Sequence, residues 1–149
     1  MKIVNRKFGR DYKEVERFET GIVLYGGEVK AIRDGGLRLD DAYVKIVDNE
    51  PMLINAEIPA YRFGQIEGYD PKRSRRLLLH KKEIVRILTK IKGGGGLTLV
   101  PVSCYNKGDI FKLEIALVRG RREVEKRKYE KQKKVKRDQQ REAKEYIKN

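Results

Sequence analysis

Tryptophan is missing, and cysteine and histidine occur once each, as Cys104 and His80. A lone cysteine cannot close an internal disulfide, which excludes a secreted disulfide scaffold and is ordinary in a reducing cytosol. One cysteine and one histidine cannot assemble a Cys/His zinc set, so neither metal nor cofactor is expected. Long apolar runs are lacking too: nothing approaches the roughly 18 consecutive apolar residues of a membrane span. The basic start, Met1 to Asp11, has no apolar h-region, so no signal peptide is expected. These absences predict a cytoplasmic protein without membrane association. What the sequence holds in excess is positive charge. Lys and Arg number 36 against 22 Asp and Glu, a net +14 in 149 residues. That balance calls for an anionic partner, nucleic acid before membrane.

The charge is unevenly spread. Arg119 to Asn149 carries 14 basic and 6 acidic residues, whereas residues 1–118 hold 22 and 16. In that C-terminal stretch Val124, Tyr129, Val135, Ala143, Tyr146 and Ile147 form no sustained i, i+3, i+4, i+7 stripe, so no face is expected to pack on a core. Lys, Arg, Glu and Gln nevertheless favour helix, and neither Gly nor Pro follows Gly120. The expected organisation is an RNA-binding barrel domain over residues 1–120. A basic tail over 121–149 follows, disordered when free and helical on a polyanionic surface.

The body reads mainly as strands. From Ile110 to Val118, Phe111, Leu113, Ile115 and Leu117 alternate with Lys112, Glu114, Ala116 and Val118, the period of a half-buried strand. Asn106-Lys107-Gly108-Asp109 is turn chemistry joining it to Leu97–Tyr105, where Pro101 predicts an edge or a bulge. A second hairpin turns at Asp48-Asn49-Glu50-Pro51, between Tyr43–Val47 and Met52–Ile58. A long strand covers Tyr12 to Tyr25, with Gly21 as a candidate bend. Leu79 to Lys92 places Ile84, Ile87, Leu88 and Ile91 on one helical face, and Gly93–Gly96 ends it. A shorter helix is expected at Gly27–Asp34. The fold class is therefore mainly β: a small antiparallel OB-like (oligonucleotide-binding-type) barrel with flanking helices and a basic C-terminal tail.

No active site is legible. His80, the sole imidazole, opens an amphipathic helix, where capping or packing is its natural role. Asp40-Asp41 reads as a solvated pair, and no acid–base carboxylates stand out among the scattered Asp and Glu. The nucleic-acid features are stronger. Arg62 to Arg76 mixes Arg62, Lys72, Arg73, Arg75 and Arg76 with Tyr61, Phe63 and Tyr69 in a loop punctuated by Gly and Pro. Guanidinium groups contact phosphates or stack on bases, and exposed aromatics supply stacking faces, a combination suited to folded or unpaired RNA. Lys2, Arg6, Lys7 and Arg10 form a second basic cluster. An RNA-binding adaptor and a ribosomal or ribosome-assembly protein binding rRNA both fit these residues. A ribonuclease is disfavoured by the missing acid–base set.

Ordered blocks then carry a family resemblance. Phe18-Glu19-Thr20-Gly21-Ile22-Val23-Leu24, continuing through Gly27-Glu28-Val29-Lys30-Ala31-Ile32-Arg33, resembles the signature of the small protein B (SmpB) family of SsrA-binding proteins. Asn5-Arg6-Lys7, Asp70-Pro71, Arg76-Leu77-Leu78-Leu79-His80-Lys81-Lys82-Glu83-Ile84, Leu97-Thr98-Leu99-Val100-Pro101 and Val118-Arg119-Gly120-Arg121-Arg122 resemble it in the same order. The resemblance implies binding of tmRNA (SsrA RNA) at its tRNA-like domain and delivery to stalled bacterial 70S ribosomes. Elongation factor Tu and alanyl-tRNA synthetase would be reached through that RNA, and the free protein would be a monomer. It implies RNA contacts at Asn5, Glu19 and Leu78; Arg6, Lys7, Arg73, Arg75 and Arg76, from the two basic clusters, are the candidate RNA-binding cations beside them. Asn5 and Glu19 would bond base edges or ribose hydroxyls, a buried carboxylate would position arginines, and Leu78 would offer apolar contact. It also implies a ribosome-binding tail beginning with Gly120, Arg121, Arg122, Glu125, Lys126 and Arg127, lodged in the empty mRNA path at the small-subunit decoding region. Thr20 replaces the usual Ala of the family, Glu125 stands where its tail carries Asp, and the four-glycine run is looser than its usual turn.

Overall fold

The computed structural model describes residues 1–64 and 66–148; Gln65, inside the expected Arg62–Arg76 loop, and Asn149, at the end of the expected tail, lie outside it. In chain order the elements are β1 (Lys2–Val4), α1 (Phe8–Asp11), β2 (Tyr12–Ile22), α2 (Gly26–Arg33), β3 (Tyr43–Val47), β4 (Glu50–Ile54), β5 (Arg75–Leu78), α3 (Lys81–Lys92), β6 (Leu97–Lys107), β7 (Ile110–Gly120) and α4 (Glu123–Lys148). All pairings are antiparallel, in the order β6-β3-β4-β5-β2-β7, and β7 pairs back onto β6 to close a ring. β1 adds to the stretch of β6 that β3 leaves free. A closed ring leaves few unpaired edges, which is how small antiparallel folds avoid edge-to-edge association.

The expected hairpins are present, although the second strand of the second one runs Glu50–Ile54 rather than Met52–Ile58. β3 and β4 join through Asp48 and Asn49, both left-handed at φ +49° and +64°. Two left-handed central residues match the right-handed twist of the flanking strands, and Asp and Asn tolerate that conformation. Pro101 sits at a register shift between Pro101 and Ser103, the bulge anticipated for a proline in a ladder. Two short strands, β1 and β5, and the four-residue α1 carry no sequence periodicity and went unanticipated. The first long strand also stops at Ile22 rather than Tyr25, because Tyr25 caps α2.

Inside the ring lie Phe18, Leu53, Leu77, Leu99, Leu113, Ile115 and Leu117, with Ile32 of α2 and Ile87 of α3 packing onto them. Each fully buried large aliphatic contributes about 1.5–3 kcal/mol relative to exposure. His80 is the α3 N-cap, and its backbone N–H donates to the Glu83 carboxylate in the first turn. One expectation is corrected. Ala116 and Val118 were placed on the solvent side of a half-buried strand, yet both are fully buried with Val100 and Val102. Phe8 of α1 and Tyr12 cover them, so this end of the β6–β7 hairpin is buried on both faces.

Candidate nucleic-acid interface

Successive side chains of a strand alternate between faces, and residues paired directly across strands share one. Phe18 and Thr20 of β2 are buried, which leaves Arg17, Glu19 and Gly21 on the outer face. Gly21 pairs with Leu78 of β5, and Glu19 with Glu114 of β7, so all lie on one surface. Leu78 is 56% exposed and folds over Gly21, where an added Cβ would stand only 3.2 Å from Leu78 Cδ1. Glycine is favoured there by close approach, since a Cβ would press on the Leu78 side chain.

Glu19 is exposed but not free to wander. The Tyr105 hydroxyl of β6 donates to one carboxylate oxygen across β7, and Lys107 Nζ lies 3.2 Å from the other. Both contacts favour the ionised form, Tyr105 most, and hold the carboxyl below its ordinary range. Burial first, and the carboxylate second, push the Tyr105 phenol up to about 12. Sequence reading missed both partners; their signal was the outward position of Tyr105 and Lys107 on alternate residues of β6.

Asn5 sits elsewhere. It is 3% exposed, and its side-chain Nδ2 donates to the Pro101 carbonyl at 2.9 Å while Oδ1 accepts the Lys7 backbone N–H at 3.1 Å. Its own N–H donates to the Val102 carbonyl at 2.8 Å. The side-chain amide is consumed by the fold, and its effect is to fix the turn that presents Arg6 and Lys7. That turn is tied down further by the Asp40-Asp41 pair. Asp40 accepts the Arg6 backbone N–H at 3.3 Å, and Asp41 meets Lys7 Nζ at 3.0 Å.

The buried carboxylate that positions arginines is Glu28 of α2, not Glu19. Glu28 and Arg75 have side chains 1% and 0% exposed and pair directly, with Arg75 Nε donating at 2.8 Å. Arg75 also donates to the carbonyls of Ala56 at 2.7 Å and Pro71 at 3.0 Å, so its guanidinium is spent inside the body. Arg73 makes a second ion pair with Glu28 and lays its guanidinium 3.9 Å from the Tyr25 ring centroid. Burial works to raise the Glu28 pKa, but Arg73, the Tyr25 N–H and Arg75 together win and hold it below the usual range. Arg76 points outward, 3.5 Å from Glu50, in an exposed pair of little energetic weight. Of the arginines expected at the interface, Arg76 and part of Arg73 reach the surface, and Arg75 supports them from below.

The tail residues also divide. Gly120 closes β7. The Arg121 N–H donates to the Asp11 carbonyl at 2.8 Å and its Nε to the Tyr12 carbonyl at 3.1 Å. Lys126 lies 3.9 Å from Asp11, Glu130 pairs with Arg10, and Tyr129 packs on Gly9, where a Cβ would overlap the tyrosine hydroxyl. Glu125 is half-buried, while Arg122 and Arg127 face solvent. Two turns of α4 therefore dock on α1, although no face was expected to pack. The contacts are polar and aromatic, so an apolar stripe could not reveal them.

Among the described residues no three His, Cys, Asp or Glu groups gather as metal ligands, and no helix is long and apolar enough to cross a membrane. Burial pushes the Cys104 thiol up to about 12, which keeps it inert. A closed antiparallel ring with arginines, lysines, a clamped carboxylate and an exposed leucine outside, and a basic helix attached, defines a small-barrel nucleic-acid-binding protein. The family model described as SmpB protein matches residues 2–145. The SsrA-binding protein of Protochlamydia amoebophila is 46% identical over 84% of this chain and 81% of its own. That of Thermosipho melanesiensis is 43% identical over 99% of each chain. A solved chain described under "tmRNA-SmpB: a journey to the center of the bacterial ribosome" superposes with a TM-score of 0.67 at 36% identity. The match covers 86% of this chain and 93% of that one. The chain belongs to the SmpB family.

Proposed function

We propose that this protein is an adaptor of trans-translation rather than an enzyme. It grips the tRNA-like domain of tmRNA with the outer face around Glu19 and Leu78 and carries that RNA to ribosomes stalled on truncated messages in the cytoplasm. Elongation factor Tu and alanyl-tRNA synthetase act on the same RNA and meet the protein only through it. The observation that carries this reading is a whole-chain family match to SsrA-binding proteins, joined to an outer face that holds Glu19, Leu78 and Arg76 together. Glu19, preordered by Tyr105 and Lys107, accepts hydrogen bonds from ribose hydroxyls or base amines, and Leu78 offers an apolar platform. Arg6, Lys7 and Arg76 neutralise phosphates; Asn5 and Arg75 keep their neighbours in place.

The tail acts on the ribosome. Its first two helical turns stay on α1, and the segment from Lys131 to Ile147 is disordered when free and becomes helical in the empty mRNA path, where protein stands in for the codon–anticodon duplex that tmRNA lacks. The exposure of Lys131 to Ile147 supports this reading, because nothing in the body holds those turns. Gly120, Arg121 and Arg122 lead into this segment, and Glu125, Lys126 and Arg127 contribute to the decoding-region contact. The deciding experiment is recovery of RNA with the full-length protein from bacterial lysate. A stoichiometric RNA with a tRNA-like end is expected. Recovery of rRNA fragments alone would replace this reading with an rRNA-binding ribosomal or assembly role.

A further inference from the structure

From Glu19 the outer row of β2 runs on through Gly21 and Val23 to Tyr25, a path of about 20 Å at ~3.3 Å per residue. Val23 stays on the sheet after β2 ends, because its N–H donates to the Arg76 carbonyl at 2.9 Å. Val23 and Tyr25 are 44% and 49% exposed. Beyond them the loop between β4 and β5 carries Tyr61 and Phe63, whose ring centroids are 5.6 Å apart in an edge-to-face pair. Phe63 is 74% exposed, an arrangement that burial does not explain.

Each of the three rings has a cation against it. Arg73 lies 3.9 Å from the Tyr25 centroid, Lys30 5.3 Å from Tyr61, and Arg62 4.9 Å from Phe63. Lys30 and Arg62 are both exposed, so cationic charge stands at the surface beside these rings. The base of the loop is fixed: the Tyr69 hydroxyl accepts from Arg75 Nη2 at 3.0 Å and donates to the Ile58 carbonyl at 2.8 Å. Rings held beside cations on an anchored loop match what stacks unpaired bases and neutralises their phosphates. A protein partner would more often be met by a closed apolar patch with charge kept to its rim.

We propose that Tyr25, Tyr61 and Phe63, with Lys30, Arg62 and Arg73, form a second RNA subsite that stacks unpaired nucleotides. The proposal rests on the adaptor reading above, and the RNA it engages is the same one, reached along the β2 row from Glu19 and Leu78. Phe63 is the ring most available to a base, and the cations supply phosphate contacts.

The test compares full-length wild type, Phe63→Ala and Phe63→Trp for binding to transcribed tmRNA and to an rRNA fragment across a KCl series. Phe63 is exposed, so folding is retained. Phe63→Ala is expected to weaken tmRNA binding roughly five- to a hundred-fold, the scale of one stacked base. The salt slope should not change, because a phenyl ring neutralises no phosphate. Phe63→Trp should restore affinity, and bromouridine-substituted tmRNA should crosslink within the Tyr61–Phe63 segment. Wild-type affinity in Phe63→Ala overturns the proposal; if ribosome pelleting falls in that same variant, the patch is a protein surface. If wild type prefers the rRNA fragment, the adaptor reading fails, and the same Phe63 comparison on that fragment still decides the subsite.

Discussion

The ring and the tail helix hold their charges under opposite conditions. In the ring Glu28 and Arg75 lie in the interior, and the guanidinium is matched donor by donor to a carboxylate, two carbonyls and a hydroxyl. In α4, Lys126 pairs loosely with Glu123 at 3.7 Å, and from Lys131 to Ile147 every side chain is exposed. The ring is stabilised by burial, which works without a partner. The tail helix has good intrinsic propensity but draws its tertiary support only from two turns on α1. Most helical stability in proteins comes from such packing. Tertiary packing therefore lies mainly in the ring and its helices, while the side chains of the far tail stay exposed.

The sharpest break between the two regions is truncation after Gly120. Tagging of peptides on stalled ribosomes should be lost, whereas the urea midpoint of the body should move by no more than about 1 kcal/mol equivalent, the scale of the few exposed contacts removed. A truncated protein that tags fully would show that the tail has no role there. Next in size is Glu28→Ala, which strands Arg75 in the interior. Breaking one side of a buried pair costs about 3–5 kcal/mol, readable by urea denaturation. The loss should leave trypsin cleavage of the far tail unaltered.

The same carboxylate sets an acid limit. Its folded pKa is depressed, so its stabilisation is complete above the unfolded value near ~4.3 and is lost as pH falls through the lower folded value. Glu16, lowered chiefly by Lys90, and Glu19, lowered chiefly by Tyr105, follow the same sign. Stability of wild type should decline on acidification below about pH 4, and Glu28→Gln should flatten that limb without abolishing it. Acid titration of the urea midpoint checks this.

Smaller still is Gly9→Ala. Alanine is the better helix former by up to about 1 kcal/mol, yet its Cβ takes the place of the Tyr129 ring tip. The body should keep its stability while tryptic cleavage around Arg122–Lys128 accelerates several-fold. Unchanged cleavage would mean that Tyr129 has no part in docking the tail. The smallest expected effect is spectroscopic. Glu19→Ala should bring the Tyr105 phenol down from about 12 but not to its ordinary value, because burial is the larger cause. An ultraviolet titration resolves the shift.

Much of the ring was written into local pattern. The inward Phe111, Leu113, Ile115 and Leu117 of β7, the Asp48-Asn49 turn, the proline bulge and the apolar face of α3 are properties of neighbouring residues, and neighbouring residues display them in sequence. The basic tail and the family blocks were legible for the same reason. What only the tertiary structure decided was which polar groups are spent internally. Asn5 and Arg75 look like surface chemistry in a string of letters, but long-range packing assigns them to backbone carbonyls and a buried carboxylate. The pairing of Glu19 with Tyr105 and Lys107, and of Gly9 with Tyr129, joins residues 86, 88 and 120 positions apart in sequence. Periodicity reports the face on which a side chain lies; its partner there is set by strand order and by closure of the ring, which bring distant residues together only after the chain has folded.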